Sequence, residues 1–229
     1  MIIHGCYNAS MDCFVLSLPK DAARRERLDS NLAVAGIPSY KIVAGVKVES
    51  MDDVLPEEYA DLEAYHSPQL KKDPRYVLPV VGCKRALIKL LGEVSKLPHN
   101  DWVLCLEDDA ILPDKESWDD AMARLKYVPE DCPIVLLWRH HANMGPCDEH
   151  CIVTLPKFAR GCVAYLIKPA FAKRVAEELK TFGKESDMIW EHFRDKGVPV
   201  RMLGCVRTTQ QDSNIISNIP ELQHLRHGV

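Results

Sequence analysis

The chain has 229 residues, with 29 Lys and Arg against 33 Asp and Glu, and a formal charge of −4. At 47% apolar and 27% charged residues its balance is that of a globular protein, which argues against a disordered, collagen-like or coiled-coil chain. The charge gives no electrostatic case for nucleic acid or an anionic membrane as main partner. No apolar run approaches the ~20 residues that span a bilayer, and the opening MIIHGCYNAS shows neither the basic flank nor the apolar core of a secretory signal. Of the nine cysteines, Cys13, Cys105 and Cys162 sit inside apolar stretches and no CxxC pair occurs. A reduced, cytoplasmic protein with buried thiols is therefore expected rather than a disulfide scaffold.

Residues 12–18 (DCFVLSL) read as a buried strand. Asp21 is placed to cap a helix carrying Leu28, Leu32 and Ala35 on one face, with Gly36 as its stop. Tyr40 to Val43 forms a second strand ending in Ala44-Gly45, so strand, helix and strand fall within about 35 residues, the size of a βαβ unit. Residues 47–80 are polar and Pro-bearing and read as an irregular excursion with a short helix near 56–65. From Gly82, apolar residues at Cys83, Ala86, Leu87, Leu90, Leu91, Val94 and Leu97 have helical spacing.

The buried strand WVLCL (102–106) then runs straight into Glu107-Asp108-Asp109. A helix near 116–126, the strand PIVLLW (133–138), a loop or hairpin over 139–160 and the strand GCVAYLIK (161–168) follow. Pro169 opens a helix through Phe182, in its favoured first-turn place. Ser186 is placed to cap another helix that stops before Gly197. Val198 to Leu203 is the last strand, and 204–229 reads as a polar tail. Strands alternating with helices, without a linker, predict one α/β domain over residues 1–229 with a largely parallel central sheet.

The acidic triplet is the strongest chemical signal. Side chains alternate along an extended chain, so Glu107 and Asp109 share one face and Asp108 takes the other. Two carboxylates on one side, at the carboxyl end of a buried strand, make a hard oxygen site for Mn²⁺ or Mg²⁺, at the end of an open α/β sheet where ligands bind. A solvated acidic turn before a capped helix is the bland alternative. No GxGxxG or Walker sequence points to a Rossmann dinucleotide or P-loop site.

FVLSLPKDAARRERL resembles the opening of glycosyltransferase family 25, whose members include lipooligosaccharide and procollagen galactosyltransferases. IVAGV (42–46), GCKRALIKLL (82–91), VLCLEDDAIL (103–112), GCVAYLIKPAFAKRVAEEL (161–179) and SDMIWEHF (186–193) resemble its later blocks, in the family's order. The chain departs from the pattern after Cys83: Lys84-Arg85-Ala86 stands there, and the family's Ser-His pair is missing from that helix. Residues 47–80 match no block.

The resemblance implies a GT-A-like, Rossmann-type sandwich and an inverting hexosyl transfer from a UDP-hexose, galactose or glucose, to a hydroxyl of a glycan or glycoprotein. It implies a metal held by Glu107 and Asp109, and Asp108 facing ribose or sugar hydroxyls. Ser17-Leu18-Pro19 and the Ala44-Gly45-Val46 turn would form the nucleoside pocket, with Arg24 or Arg25 reaching the diphosphate. Asp187 matches an acidic residue of the last block and is the candidate general base, with Glu185 and Glu191 as rivals.

Other readings are a non-catalytic nucleotide-sugar-binding module and a metal-dependent nucleotidyltransferase or phosphohydrolase. His140, His141, Cys147, His150 and Cys151 lie close in sequence but lack the paired spacing of a structural zinc site. Asp212, after Gln210-Gln211, is a further conceivable metal ligand in a segment that otherwise reads as tail.

Overall fold

The computed structural model describes residues 11–65, 73–137, 147–155, 161–203 and 210–211. The first apolar run forms β1 (Cys13–Ser17), and helix α1 (Ala22–Val34) follows, with Leu28 and Leu32 buried. Gly36, at φ 76°, ends it as its sequence predicts. Asp21 does not cap α1 with its side chain. Its backbone (φ −91°, ψ 49°) lies outside the extended region of a capping residue, and only its carbonyl serves the helix, accepting from the amides of Arg24 and Arg25. Strand β2 (Lys41–Ala44) then pairs in parallel with β1.

The 47–80 stretch is more regular than expected. It contains α2 (Pro56–Tyr65) and the opening turns of α3, which spans Pro74–Val94 and so starts well before Gly82. Asp73 caps α3 by accepting from the Arg75 amide at 2.9 Å, and Pro74 takes the first turn, where a missing N–H costs nothing. Tyr76, Val77, Val80 and Val81 of α3 pack with Val48 and Leu62 into a small apolar cluster of their own.

Strand β3 (Val103–Glu107) is followed by the short β4 (Ala110–Ile111), α4 (Lys115–Ala123), β5 (Ile134–Leu136) and β6 (Ile152–Thr154). Then come β7 (Ala164–Ile167), α5 (Pro169–Leu179), α6 (Ile189–Asp195), β8 (Val200–Leu203) and β9 (Gln210–Gln211). Helix α5 stops three residues short of Phe182. Ser186 does not cap α6: it lies inside a 3-10 turn, Ser186–Met188, that precedes the helix. Strand β6 arises within the segment expected as loop or hairpin. Residues 210–211, expected in a polar tail, pair antiparallel with β4.

The seven-stranded sheet has the order β2-β1-β3-β7-β5-β8-β6. Five strands run one way, while β7 and β6 oppose them. Alternate strand residues feed two cores. Phe14, Val103, Cys105, Tyr165 and Met202 pack with the apolar faces of α3, α5 and α6. Val15, Leu104, Leu106 and Leu166 pack with Leu28 and Leu32 of α1 and Trp118 of α4. This is an α/β sandwich with a largely parallel central sheet and helices on both faces, the Rossmann-type architecture expected of a GT-A-like chain. Among the described residues no helix is long and apolar enough to cross a membrane.

Candidate active site

From β1 the chain crosses to β2 at one edge of the sheet, and from β3 it continues to the other half. Connections that diverge in this way open a crevice beyond the carboxyl ends of the two strands, the place where open α/β sheets bind ligands. Register fixes what lies there. Leu16 is opposite Glu107, and the Asp108 amide donates to the Leu16 carbonyl at 3.2 Å. The Gly45 amide donates to the Ser17 carbonyl at 2.8 Å, and the Glu107 amide to the Val163 carbonyl at 2.8 Å. The ends of β1, β2 and β3 thus meet the start of β7.

Side-chain alternation separates the triplet. Asp108 turns to the α1 face, where Arg24 donates to its Oδ1 at 3.2 Å; both side chains are largely buried. Glu107 belongs to the α3 and α6 face. Its carboxyl is pushed up to about 8, first by burial and then by Asp109, Asp108 and Asp187, with Arg24 opposing them. Asp109 is 7% exposed. The structure therefore brings Glu107, Asp109 and Asp187 into one electrostatic neighbourhood, although Asp187 is 80 residues downstream, in the turn before α6.

That turn is held close by two contacts to the start of β7. The Trp190 indole donates to the Gly161 carbonyl at 3.2 Å, and the Cys162 thiol lies 4.0 Å from the Ser186 carbonyl. Gly161 has φ 122°, which a residue with a Cβ rarely adopts, so the Gly of this Gly-Cys pair is a backbone requirement.

The remaining expected residues have other duties as well. Arg25 donates to Ser17 Oγ at 3.1 Å and to the Leu18 and Pro19 carbonyls at 2.8 and 3.1 Å, binding the loop after β1 together. Arg24 is engaged by Asp108. A Cβ on Gly45 would lie 3.0 Å from the Leu18 side chain, so the room at Gly45 is taken by Leu18. A Cβ on Gly82 would lie 2.8 Å from the Val46 carbonyl, so α3 packs directly on the 44–46 turn. Glu185 accepts from the Tyr76 hydroxyl at 2.8 Å, while Glu191 keeps a buried Oε1 with no hydrogen bond among the described residues. Asp212, His140 and His141 lie outside the described residues.

Two residues not among the expected site residues lie near the same carboxylates. Cys83 is exposed, and desolvation, with Glu107 and Asp187, pushes its thiol up to about 12. Cys162 is buried beside the same two carboxylates, and burial raises it strongly too. Both follow a glycine, but Gly-Cys also occurs at 5–6 and 204–205, so the dipeptide alone does not single them out in sequence.

Among the described residues no three His, Cys, Asp or Glu side chains form a cluster able to hold a metal ion unaided. The donor set nonetheless suits Mg²⁺ or Mn²⁺, which take one or two protein carboxylates and complete their shell with water and substrate phosphate oxygens. The repulsion that raises the Glu107 carboxyl beside its acidic neighbours would be relieved by such a cation.

No protein-family model matches the chain, and no curated protein matches it. Among solved structures, it is similar to a glycosyltransferase involved in glycosylation of the major capsid of PBCV-1, with 11% identity, a TM-score of 0.44, and 95% of this chain and 100% of that one covered. It is also similar to a UDP-glucose pyrophosphorylase from Acinetobacter baumannii, with 11% identity, a TM-score of 0.48, and 94% and 91% covered. A third is a 4-diphosphocytidyl-2C-methyl-D-erythritol synthase from Anaerococcus prevotii, with 14% identity, a TM-score of 0.39, and 95% and 99% covered. Likenesses this distant decide neither activity nor substrate.

Proposed function

We propose that the protein is a metal-dependent, inverting glycosyltransferase that moves a hexose, galactose or glucose, from a UDP-sugar to a hydroxyl of a glycan or glycoprotein. The observation that carries this reading is the convergence of Glu107, Asp109 and Asp187 at the crevice beyond β1 and β3, with Glu107 held at about 8 by burial and its acidic neighbours. A group so perturbed, at the ligand-binding end of an α/β sheet, marks a functional site. The ordered sequence blocks that resemble glycosyltransferase family 25 support the same reading and include all three residues.

In this reading Glu107 and Asp109 hold Mn²⁺ or Mg²⁺. Such a cation, when bound, neutralises the charge that develops on a departing nucleoside diphosphate. Ser17, Leu18 and Pro19, stapled by Arg25, and the Ala44-Gly45-Val46 turn form the wall on which the nucleoside rests. Arg24 holds Asp108 on the α1 face, behind the carboxylates that take the metal. Asp187 accepts the proton of the acceptor hydroxyl as that oxygen attacks the anomeric carbon opposite the departing diphosphate. An acceptor hydroxyl that loses its proton to a carboxylate is a stronger nucleophile, and fixing both partners in one crevice removes the cost of bringing them together.

A second reading, metal-dependent nucleotidyl transfer, draws on the same acidic crevice, since the carboxylates that serve a diphosphate leaving group also serve a nucleoside triphosphate. One experiment separates them. Incubation with Mn²⁺, UDP-galactose or UDP-glucose and a glycan or glycoprotein that supplies the acceptor hydroxyl should release UDP, and Asp187→Asn should lower that rate by roughly 10²–10⁴-fold while UDP affinity stays near wild type. Pyrophosphate release from UTP and a hexose 1-phosphate, without UDP release from any UDP-hexose, would favour nucleotidyl transfer instead.

A further inference from the structure

Lys84 is 3% exposed, next to Cys83 on α3. A buried ammonium is costly unless hydrogen-bonded. Lys84 Nζ donates to the Phe182 carbonyl at 2.5 Å, and Asp61 Oδ2 of α2 lies 3.9 Å away. Burial pulls its pKa down, and Asp61 and Glu58 oppose that shift. Phe182 lies in the segment that runs from the end of α5 to Asp187.

The next residues of that segment are held from the same side. The Gly183 Cα lies so close to α2 that an added Cβ would sit 3.0 Å from the Asp61 carbonyl. The Tyr76 hydroxyl of α3 donates to Glu185 at 2.8 Å. Positions 182, 183 and 185 are thus each fixed by α2 or α3.

We propose that Lys84 is a positioning residue, a buried clamp between α2, α3 and the 182–187 segment that sets where Asp187 stands relative to Glu107 across the crevice. The inference rests on the assignment of Asp187 as the base in the proposed transfer. Lys84 touches neither donor nor acceptor in this account. It acts by holding the Phe182 carbonyl, and a buried charge with a fixed partner gives one orientation where apolar packing allows several.

The test is Lys84→Met, which keeps length and volume and removes the charge. Deuterium exchange at the amides of 183–188 should become at least about tenfold faster, with β1 and β3 unchanged. Turnover of a UDP-hexose with Mn²⁺ should fall at least about tenfold in kcat, while donor KM and the Mn²⁺-dependent affinity for UDP stay within about twofold. Wild-type exchange over 183–188, or a raised KM with unchanged kcat, would overturn the proposal. If Lys84→Met does not fold, Gly183→Ala presses the same segment away from Asp61 without touching Lys84; lowered kcat or faster exchange there supports the clamp, and wild-type behaviour in both overturns it. Exchange needs no transfer assay. A wild-type protein that turns over no UDP-hexose would therefore refute the functional reading and leave exchange to judge the clamp.

Discussion

Glu107 makes the metal-free protein sensitive to pH in a direction opposite to that of a salt-bridged carboxylate. Its folded pKa is raised from 4.5 to about 8. Between those values the unfolded chain has released a proton that the folded chain keeps, so stability declines as pH rises through the window, by up to about 1.4 kcal/mol per pH unit. Glu107→Gln cannot ionise. In EDTA it should flatten that decline and be more stable than wild type at pH 8, read as a higher urea midpoint, and it should lose metal-dependent UDP binding. Equal urea midpoints for wild type and variant across pH 5–8 would contradict the burial of this carboxyl. Arg24 predicts the reverse sign: Arg24→Met strands the buried Asp108 carboxylate and should cost about 3–5 kcal/mol at pH 7 by denaturant unfolding. The opposite faces of Glu107 and Asp108 are legible in sequence, because alternation along a strand is a local rule. The Arg24–Asp108 pair is not, because it depends on where α1 lies across the sheet.

At the scale of elements, α3 ties the crevice to the rest of the molecule. Its C-terminal half was readable from Ala86, Leu87, Leu90, Leu91 and Val94, which are all buried as helical spacing demands. Its first two turns fall in the polar, Pro-bearing stretch 47–80, which reads as an irregular excursion, although Asp73-Pro74 is a good start signal. Tertiary packing overrides local preference: Tyr76, Val77, Val80 and Val81 bury themselves against Val48 and Leu62. Gly82 is there for a close approach. Gly82→Ala would set a Cβ 2.8 Å from the Val46 carbonyl, so it should destabilise by about 1–3 kcal/mol despite Ala's better helix propensity, and it should weaken UDP binding by displacing the 44–46 turn. A gain in thermal stability from Gly82→Ala would show that α3 and that turn are not in contact. Short elements escaped the sequence for another reason. β6 has three residues, and β4 and β9 have two each, too few for a period to show. Their pairing is long-range, as with Ala110 opposite Gln211.

For the whole molecule, the α/β order was legible because the central strands are apolar runs with buried residues on both faces, as in Val103–Leu106 and Ala164–Ile167. An acidic triplet directly after such a strand lies at the carboxyl-end edge of the sheet, and β3 ends there at Glu107. What the sequence could not contain is the return of distant segments to that edge. The start of β7 and the turn before α6 bring Cys162 and Asp187 to Glu107, and Lys84 and Tyr76 secure that turn from α3. The central proposal is that the acidic crevice is a divalent-cation site for a nucleoside diphosphate. Calorimetric titration of UDP into wild-type protein and Asp109→Asn, each with Mn²⁺ and with EDTA, tests this most directly. It predicts at least about tenfold tighter binding with Mn²⁺ for wild type and no difference for Asp109→Asn. Equal UDP affinities for the wild-type protein with and without metal would contradict it.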